Sequence, residues 1–199
     1  MKNSILNEGY NNGNIFLDKG EKDKIFFKNK IITDLSHCSG SNILGHNNIV
    51  FKKTIQNYIK NKNSFFSFPN SNAINLSKLI KKNFKNFEKV IFCNSGSEAV
   101  IKALRICRSL NNKSKIVTPT GGWHGSVDKT LFKLSQNKKK IIPLSDGLQK
   151  NDKENIVFIP YNDKNLSIKI LRKNKKKINC LIIEPIQGGL PLGNIKEYL

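Results

Sequence analysis

Val90-Ile91-Phe92-Cys93-Asn94-Ser95-Gly96-Ser97-Glu98-Ala99 is the stretch from which the fold of this chain can be read. Four apolar residues predict a strand, and a Ser/Gly turn follows. Val100, Ala103, Leu104, Cys107 and Leu110 then recur on one face, which predicts a helix over 97–110. The same alternation continues downstream. Lys115-Ile116-Val117-Thr118, Lys140-Ile141-Ile142-Pro143-Leu144 and Ile156-Val157-Phe158-Ile159 read as strands, and 164–174 as a helix. Asn179-Cys180-Leu181-Ile182-Ile183-Glu184 is a nearly unbroken apolar run, the pattern of a strand covered on both faces by helices. Short apolar runs alternating with amphipathic helices define an α/β class.

Upstream of this region the texture differs. Residues 1 to about 24 are polar, Asn- and Gly-rich and without period, and predict a loose arm. Lys24-Ile25-Phe26-Phe27 and Ile31-Ile32-Thr33-Asp34-Leu35 flank Lys28-Asn29-Lys30 as a hairpin. Helical spacing predicts one helix over 48–59 and another over 73–84, separated by a loop at Pro69. Asn194-Ile195-Lys196-Glu197-Tyr198-Leu199 reads as the opening of a further helix.

The 199 residues carry 35 Lys plus Arg against 14 Asp plus Glu, a formal charge of +21. Such an excess invites a polyanion partner, because cations that neutralise phosphates supply most non-specific nucleic-acid affinity. The composition points elsewhere. There are 32 Lys but 3 Arg, with 28 Asn and 26 Ile against 3 Ala, and every enriched residue has A/T-rich codons. Nucleic-acid readers favour Arg for bidentate and stacked contacts. The Lys are scattered, apart from runs at Lys138-Lys139-Lys140 and Lys175-Lys176-Lys177 that precede strand-like segments as solvated loops or helix ends. No nucleic-acid partner is expected. No apolar run approaches the roughly 18–20 residues of a spanning helix, and Met1 to Tyr10 has no apolar signal core, so no membrane partner is expected. Cys38, Cys93, Cys107 and Cys180 form no Cys-x-x-Cys pair, which predicts a reduced cytoplasmic chain without a disulfide or metal framework.

Three loops carry candidate chemistry. Ser95-Gly96-Ser97 joins a strand to a helix start, where backbone N–H groups lack internal partners and the helix dipole is positive. That arrangement binds anions; it also describes an ordinary Ser cap with Glu98 in the first turn. The turn is neither a dinucleotide nor a Walker sequence. Gly121-Gly122-Trp123-His124-Gly125 sets the only Trp of the chain beside one of three His, between glycines. Trp123 suits stacking on a planar ligand or anchoring a core, and His124 suits hydrogen bonding, acid/base work or a purely structural bond. Glu184-Pro185-Ile186-Gln187-Gly188-Gly189 closes a buried strand, at the carboxyl edge where α/β sheets hold ligands.

Taken in order, these blocks resemble the class III pyridoxal-phosphate-dependent aminotransferases, the group that includes glutamate-1-semialdehyde 2,1-aminomutase. Asp34-Leu35-Ser36 with Ser39-Gly40 and Leu44-Gly45-His46 is similar to the N-terminal block of that family. Phe92 to Ala99 with Ala103-Leu104-Arg105-Ile106-Cys107-Arg108 is similar to its phosphate-loop block, Trp123-His124-Gly125 to its aromatic-His-Gly block, and Ile183 to Gly188 to the block after it. The resemblance implies a type I fold transferase, α/β, present as part of the small domain plus the first half of the large-domain sheet. Residues 1–65 would form the arm and small-domain segment, and 66–199 an incomplete large cofactor-binding domain. The implied cofactor is pyridoxal 5'-phosphate, with its phosphate on Ser95, Gly96 and Ser97, its ring on Trp123, His124 supporting that wall, and Glu184 shaping the floor by hydrogen bonds. No metal ligand is implied. Arg105 and Arg108, two of three Arg, suggest a geometric need for guanidinium or a helix-surface ion pair.

The resemblance also has a boundary. The Asp that pairs with the pyridine nitrogen, in an Asp-Glu-aliphatic motif, and the Schiff-base Lys come later in the family's order; no Asp-Glu dipeptide occurs here, and both are expected beyond Leu199. The expected function is a transaminase or aminomutase acting on a small amino donor and acceptor as a homodimer, with the 199-residue chain a fragment inactive by itself. Gly189 stands where ornithine and aminobutyrate enzymes carry Glu, which tilts the expectation toward the aminomutase side. The competing expectations are a non-catalytic relative or fragment with a regulatory or binding role, and a basic nucleic-acid-binding protein.

Overall fold

In the computed structural model, which describes residues 17–64, 67–137 and 140–189, antiparallel and parallel sheets occupy different parts of the chain. The chain divides into two units, Met1–Lys78 and Leu79–Leu199. The division falls within a helix, α2 (Ser71–Asn83).

The first unit opens with an antiparallel meander of β1 (Lys19–Glu21), β2 (Lys24–Phe27) and β3 (Lys30–Thr33). β2 and β3 form the expected hairpin, with Ile25 opposite Ile32. β1 lies in the stretch expected to be a loose arm. Its three residues, Lys-Gly-Glu, have no apolar alternation to announce them, and β2 recruits them by backbone pairing. Residues 1–16 lie outside the described residues. Past β3, Asp34 is buried and organises the next turn: its Oδ1 accepts from the Ser36 and His37 N–H groups at 2.9 and 3.0 Å, while its Oδ2 meets His46 Nε2 at 2.8 Å. Helix α1 (Ile49–Lys60) starts where Asn48 Oδ1 accepts from the Val50 and Phe51 N–H groups.

The second unit is built on three parallel strands in the order β7-β4-β8, where β4 is Lys115–Pro119, β7 Ile156–Ile159 and β8 Ile178–Leu181. Helix α3 (Gly96–Leu110) precedes β4, and α4 (Lys164–Asn174) joins β7 to β8. β4 is the central and most buried strand, as its Ile-Val-Thr-Pro run requires. Leu104 of α3, Ile116 of β4 and Val127 form the core, with Val100, Cys180 and Ile182 packed against it. Burying Leu104, which is 2% exposed, contributes about 1.5–3 kcal/mol. The two neighbours of β4 come from later chain on opposite sides, so the strand order reverses there, and the loop after β4 sits at the edge where α/β folds place ligands.

Two strand expectations change. Val90-Ile91-Phe92-Cys93 joins no ladder among the described residues. An apolar run becomes a strand only beside a neighbour that can take its hydrogen bonds. The run at 140–144 contributes only β6 (Ile141–Pro143), paired antiparallel with a strand too short to signal itself, β5 (Phe132–Leu134). A 3-10 turn at Lys150–Asn155 leads into β7. Residues 138–139 and the expected helix opening at 194–199 lie outside the described residues.

Candidate functional site

The turn before α3 is fixed by its own side chains. Ser95 caps the helix with extended backbone, its Oγ accepting the Glu98 N–H at 3.1 Å. Glu98 reaches back and accepts the Asn94 N–H at 2.9 Å, while its other oxygen meets Lys102 Nζ at 2.7 Å. The Lys102 hydrogen bond, then the Asn94 N–H, hold the Glu98 carboxyl below its ordinary range. Both Glu98 oxygens are thereby spent on the cap. The Gly96 and Ser97 N–H groups find no acceptor among the described residues, and the space over Gly96 is open: a Cβ built there meets no atom within 4 Å.

The loop after β4 leans on this turn. Ser97 Oγ accepts the Ser126 N–H at 2.9 Å, which leaves the hydroxyl proton to donate elsewhere. Gly125 makes the approach possible: its φ is +75°, and a Cβ there would sit 2.3 Å from Ser97 Oγ and 3.0 Å from Ser97 Cα. The Gly of Trp123-His124-Gly125 is thus required twice, by backbone conformation and by contact with the first turn of α3.

Trp123 and His124 part company within this loop. Trp123 is 60% exposed and its ring is presented outward, whereas its backbone N–H donates to Glu184 Oε2 at 2.7 Å. His124 is 8% exposed, and its Nε2 pairs with the Thr118 hydroxyl of β4 at 2.7 Å. Burial pushes the His124 pKa down and outweighs the nearby Glu184 carboxylate, so the ring is neutral at pH 7. Glu184 lies past the end of β8 and ties the two loops together. The six residues singled out in the sequence lie at three places, Ser95, Gly96 and Ser97 at the cap and first turn of α3, Trp123 and His124 on the loop after β4, and Glu184 past the end of β8, and the Ser97–Ser126 and Trp123–Glu184 bonds link them.

Two residues of the site escaped the sequence reading. Thr118 was legible only as a strand residue, and Gln187 only as part of a loop. Gln187 is 2% exposed, and its Nε2 donates to the Thr120 carbonyl at 3.0 Å. The Gln187–Thr120 partnership carries no local signal, since the two are 67 positions apart, and Thr118 and His124, six positions apart, join a strand residue to a loop residue with no period between them. Among the described residues no group of His, Cys, Asp or Glu could hold a metal ion, and no helix is long and apolar enough to cross a membrane. Neither Arg105 nor Arg108 has an acidic partner within 4.0 Å among those residues; Arg108 Nε donates to the Leu104 carbonyl of its own helix.

N–H groups at a helix start that are unpaired among the described residues, an exposed indole on the adjoining loop and a carboxylate bracing that loop thus meet within one α/β unit. The comparisons give the family. The class-III aminotransferase model matches residues 7–191. The glutamate-1-semialdehyde 2,1-aminomutases of Wigglesworthia glossinidia brevipalpis and Methanocella arvoryzae are 35% and 33% identical over 157 and 152 residues, which is 77% and 76% of this chain but 36% and 35% of theirs. A solved omega-transaminase from Sphaerobacter thermophilus shares the fold with a TM-score of 0.80 at 19% identity, over 89% of this chain and 42% of its own. The chain belongs to the class-III aminotransferase family and spans little more than a third of the length of these curated relatives.

Proposed function

We propose that this chain supplies the cofactor cradle of a pyridoxal-phosphate-dependent transaminase or aminomutase. The observation that carries the reading is the Ser97–Ser126 hydrogen bond with Gly125 packed against Ser97, which joins an anion cradle to an aromatic wall. The residues fit the group. A phosphate dianion would be met by the Gly96 and Ser97 N–H groups at the positive end of α3 and by the proton of Ser97 Oγ. Trp123 would cover one face of the pyridine ring. His124, neutral and held by Thr118, backs the wall without placing a charge under it. Glu184 holds the Trp123 backbone, so the ring height is set from the end of β8. When bound, the cofactor supplies an electron sink for breaking a bond at the amine-bearing carbon.

The reading includes the division into an arm and small-domain segment over 1–65 and a cofactor-binding domain over 66–199. None of the lysines of the sequence is assigned to covalent attachment of the cofactor. The 199-residue chain is therefore expected to retain pyridoxal phosphate without a covalent bond and to be inactive by itself. The aminomutase side is favoured by Gly189 and by the two relatives at 33–35% identity, both named for that reaction. The test is cofactor titration by equilibrium dialysis, with bound pyridoxal phosphate read by its own absorbance. Ser97→Ala and Trp123→Ala should each weaken retention roughly tenfold, the loss of one charged hydrogen bond or one stacked face. Unchanged retention in both variants overturns the assignment. For the full-length protein, conversion of glutamate-1-semialdehyde without an external amino acceptor would distinguish mutase from transaminase.

A further inference from the structure

We infer that Gln187 is a positioning residue that sets the orientation of the Trp123 wall. The argument starts from its burial. A primary amide that is 2% exposed gains nothing from water, so each of its bonds must be made inside the protein. Its Nε2 donates to the Thr120 carbonyl at 3.0 Å, at the point where the chain leaves β4. Its Oε1 lies 3.2 Å from the place a Cβ would occupy on Gly121, whose φ of +88° turns the chain toward Gly122 and Trp123. Three residues earlier on the same loop, Glu184 accepts the Trp123 N–H. One short segment after β8 therefore grips the Trp123 loop at both ends, at the Thr120 carbonyl and at the Trp123 amide.

The start of that loop is tied on its other side. Thr120 N–H and Thr120 Oγ1 both donate to the Ile159 carbonyl of β7, at 2.8 and 3.1 Å. Thr120 is thus fixed by β7 on one side and by Gln187 on the other, directly beyond the central strand. The turn is closed within itself by the Gly122 N–H, which donates to the Pro119 carbonyl at 3.2 Å, but glycine at 121 and 122 offers no side-chain resistance to its tilting as a unit. Gln187 ties that turn to the segment after β8 and limits the tilt. The indole, 60% exposed and without a side-chain hydrogen bond among the described residues, takes its direction from the backbone that Gln187 and Glu184 hold.

That the wall serves a cofactor ring rests on the function proposed above, but the positioning itself can be tested without cofactor. Trp123 is the only tryptophan of the chain, so the fluorescence anisotropy decay reports the wall alone. Gln187→Met keeps the side-chain length and removes the donor, which should shift the open-to-closed ratio of the loop by roughly tenfold and enlarge the fast anisotropy component. Gln187→Glu adds a readout that a space-filling role would not move. Protonated, the carboxyl can donate to the Thr120 carbonyl; ionised, it repels that carbonyl. Burial raises the pKa of such a carboxyl. The Trp123 decay of Gln187→Glu should therefore match wild type near pH 5 and resemble Gln187→Met near pH 8. Glu184 and His124 border the same loop, so wild type and Gln187→Met are run over the same range as references and should change together. If the anisotropy is identical in all three proteins at both pH values, Gln187 does not position the wall, whatever its effect on unfolding. If the anisotropy responds as expected while added pyridoxal phosphate leaves it unchanged in wild type, the positioning stands and the cofactor reading fails.

Discussion

Replacing Gly125 with Ala tests the joint between the first turn of α3, the proposed anion cradle, and the Trp123 loop. Two costs arise, and the structure separates them. A non-glycine residue at φ +75° sits in the left-handed region, at about 1–2 kcal/mol. The new Cβ would also lie 2.3 Å from Ser97 Oγ, 3.0 Å from Ser97 Cα and 3.1 Å from Ser97 Cβ. The hydroxyl could rotate away, but the Cα cannot move without shifting the first turn of α3. Overpacking of this kind costs about 1–3 kcal/mol. The sum is ~2–5 kcal/mol, a fall in melting temperature of roughly 5–15 °C for a chain of this size.

The assay is thermal or urea unfolding of four proteins: wild type, Gly125→Ala, Ser97→Gly and the double variant. Removing the Ser97 side chain clears two of the three close contacts, so the double variant should recover part of the overpacking cost and none of the backbone cost. Gly96→Ala is the control, since its Cβ enters open space and its φ is ordinary. It should leave stability within about 0.5 kcal/mol of wild type and weaken cofactor retention, because the open space is where the phosphate is proposed to lie. If Gly125→Ala unfolds like wild type, the contact between the two loops is not what the geometry says. Purely additive behaviour in the double variant would refute the Ser97 contact specifically.

Further outcomes follow from titrating groups and thiols. The folded-state pKa of His124 is depressed by burial below the unfolded value of about 6.5, so its contribution is fully present above that pH and is lost as pH falls toward the folded pKa; His124→Gln should flatten the decline in unfolding midpoint between pH 7.5 and 5. Asp34 is held below the usual carboxylate range, chiefly by the His46 hydrogen bond and then by the His37 N–H, so its contribution is present above the unfolded carboxylate pKa and disappears on acidification; Asp34→Asn should lower stability at pH 7 and remove that acid-dependent component. Burial, with Cys107 beside it, pushes the Cys180 thiol up to about 11, whereas Cys38 is exposed. Peptide mapping after brief alkylation at pH 8 should find Cys38 labelled first and Cys180 last.

The elements that sequence made legible are those with a local cause. Helix α3 shows its cap, its acidic first turn and its apolar face within fifteen residues, and it forms as read. β4, β7 and α4 follow from runs that only a buried strand or a single amphipathic helix can use. The site loops were legible because Gly, Trp and a strand-end Glu are uncommon in combination. What joins them was not. The Ser126 N–H to Ser97, Trp123 N–H to Glu184 and Gln187 to Thr120 bonds span 29, 61 and 67 positions, and three of those six residues contribute only the backbone while the other three contribute side chains with many alternative partners. β1 and β5 have three residues each, too few for any period. Val90 to Cys93 errs in the other direction: its composition is that of a strand, but pairing is a property of two segments, and one segment cannot reveal its neighbour.

The same distinction explains why the net charge of +21 misleads about the site. Charge counts report what is abundant, and lysine is abundant here throughout the sequence. The proposed cradle uses none of it. The lysine nearest to the turn in its bonding, Lys102, is paired with Glu98 and supports the cap. The anion is instead expected to meet two backbone N–H groups and one hydroxyl, at a helix end whose partial charge is about half an elementary unit. Fixed dipoles of this kind do not reorganise on binding and are little affected by how many lysines surround them, whereas a cluster of flexible ammonium groups would lose side-chain freedom and compete with salt. A chain whose codons drift toward lysine can therefore keep an anion site intact, provided that Gly96, Ser97 and Gly125 are kept. The positions that carry the site are small residues whose value lies in what they leave uncovered, and composition cannot weigh them.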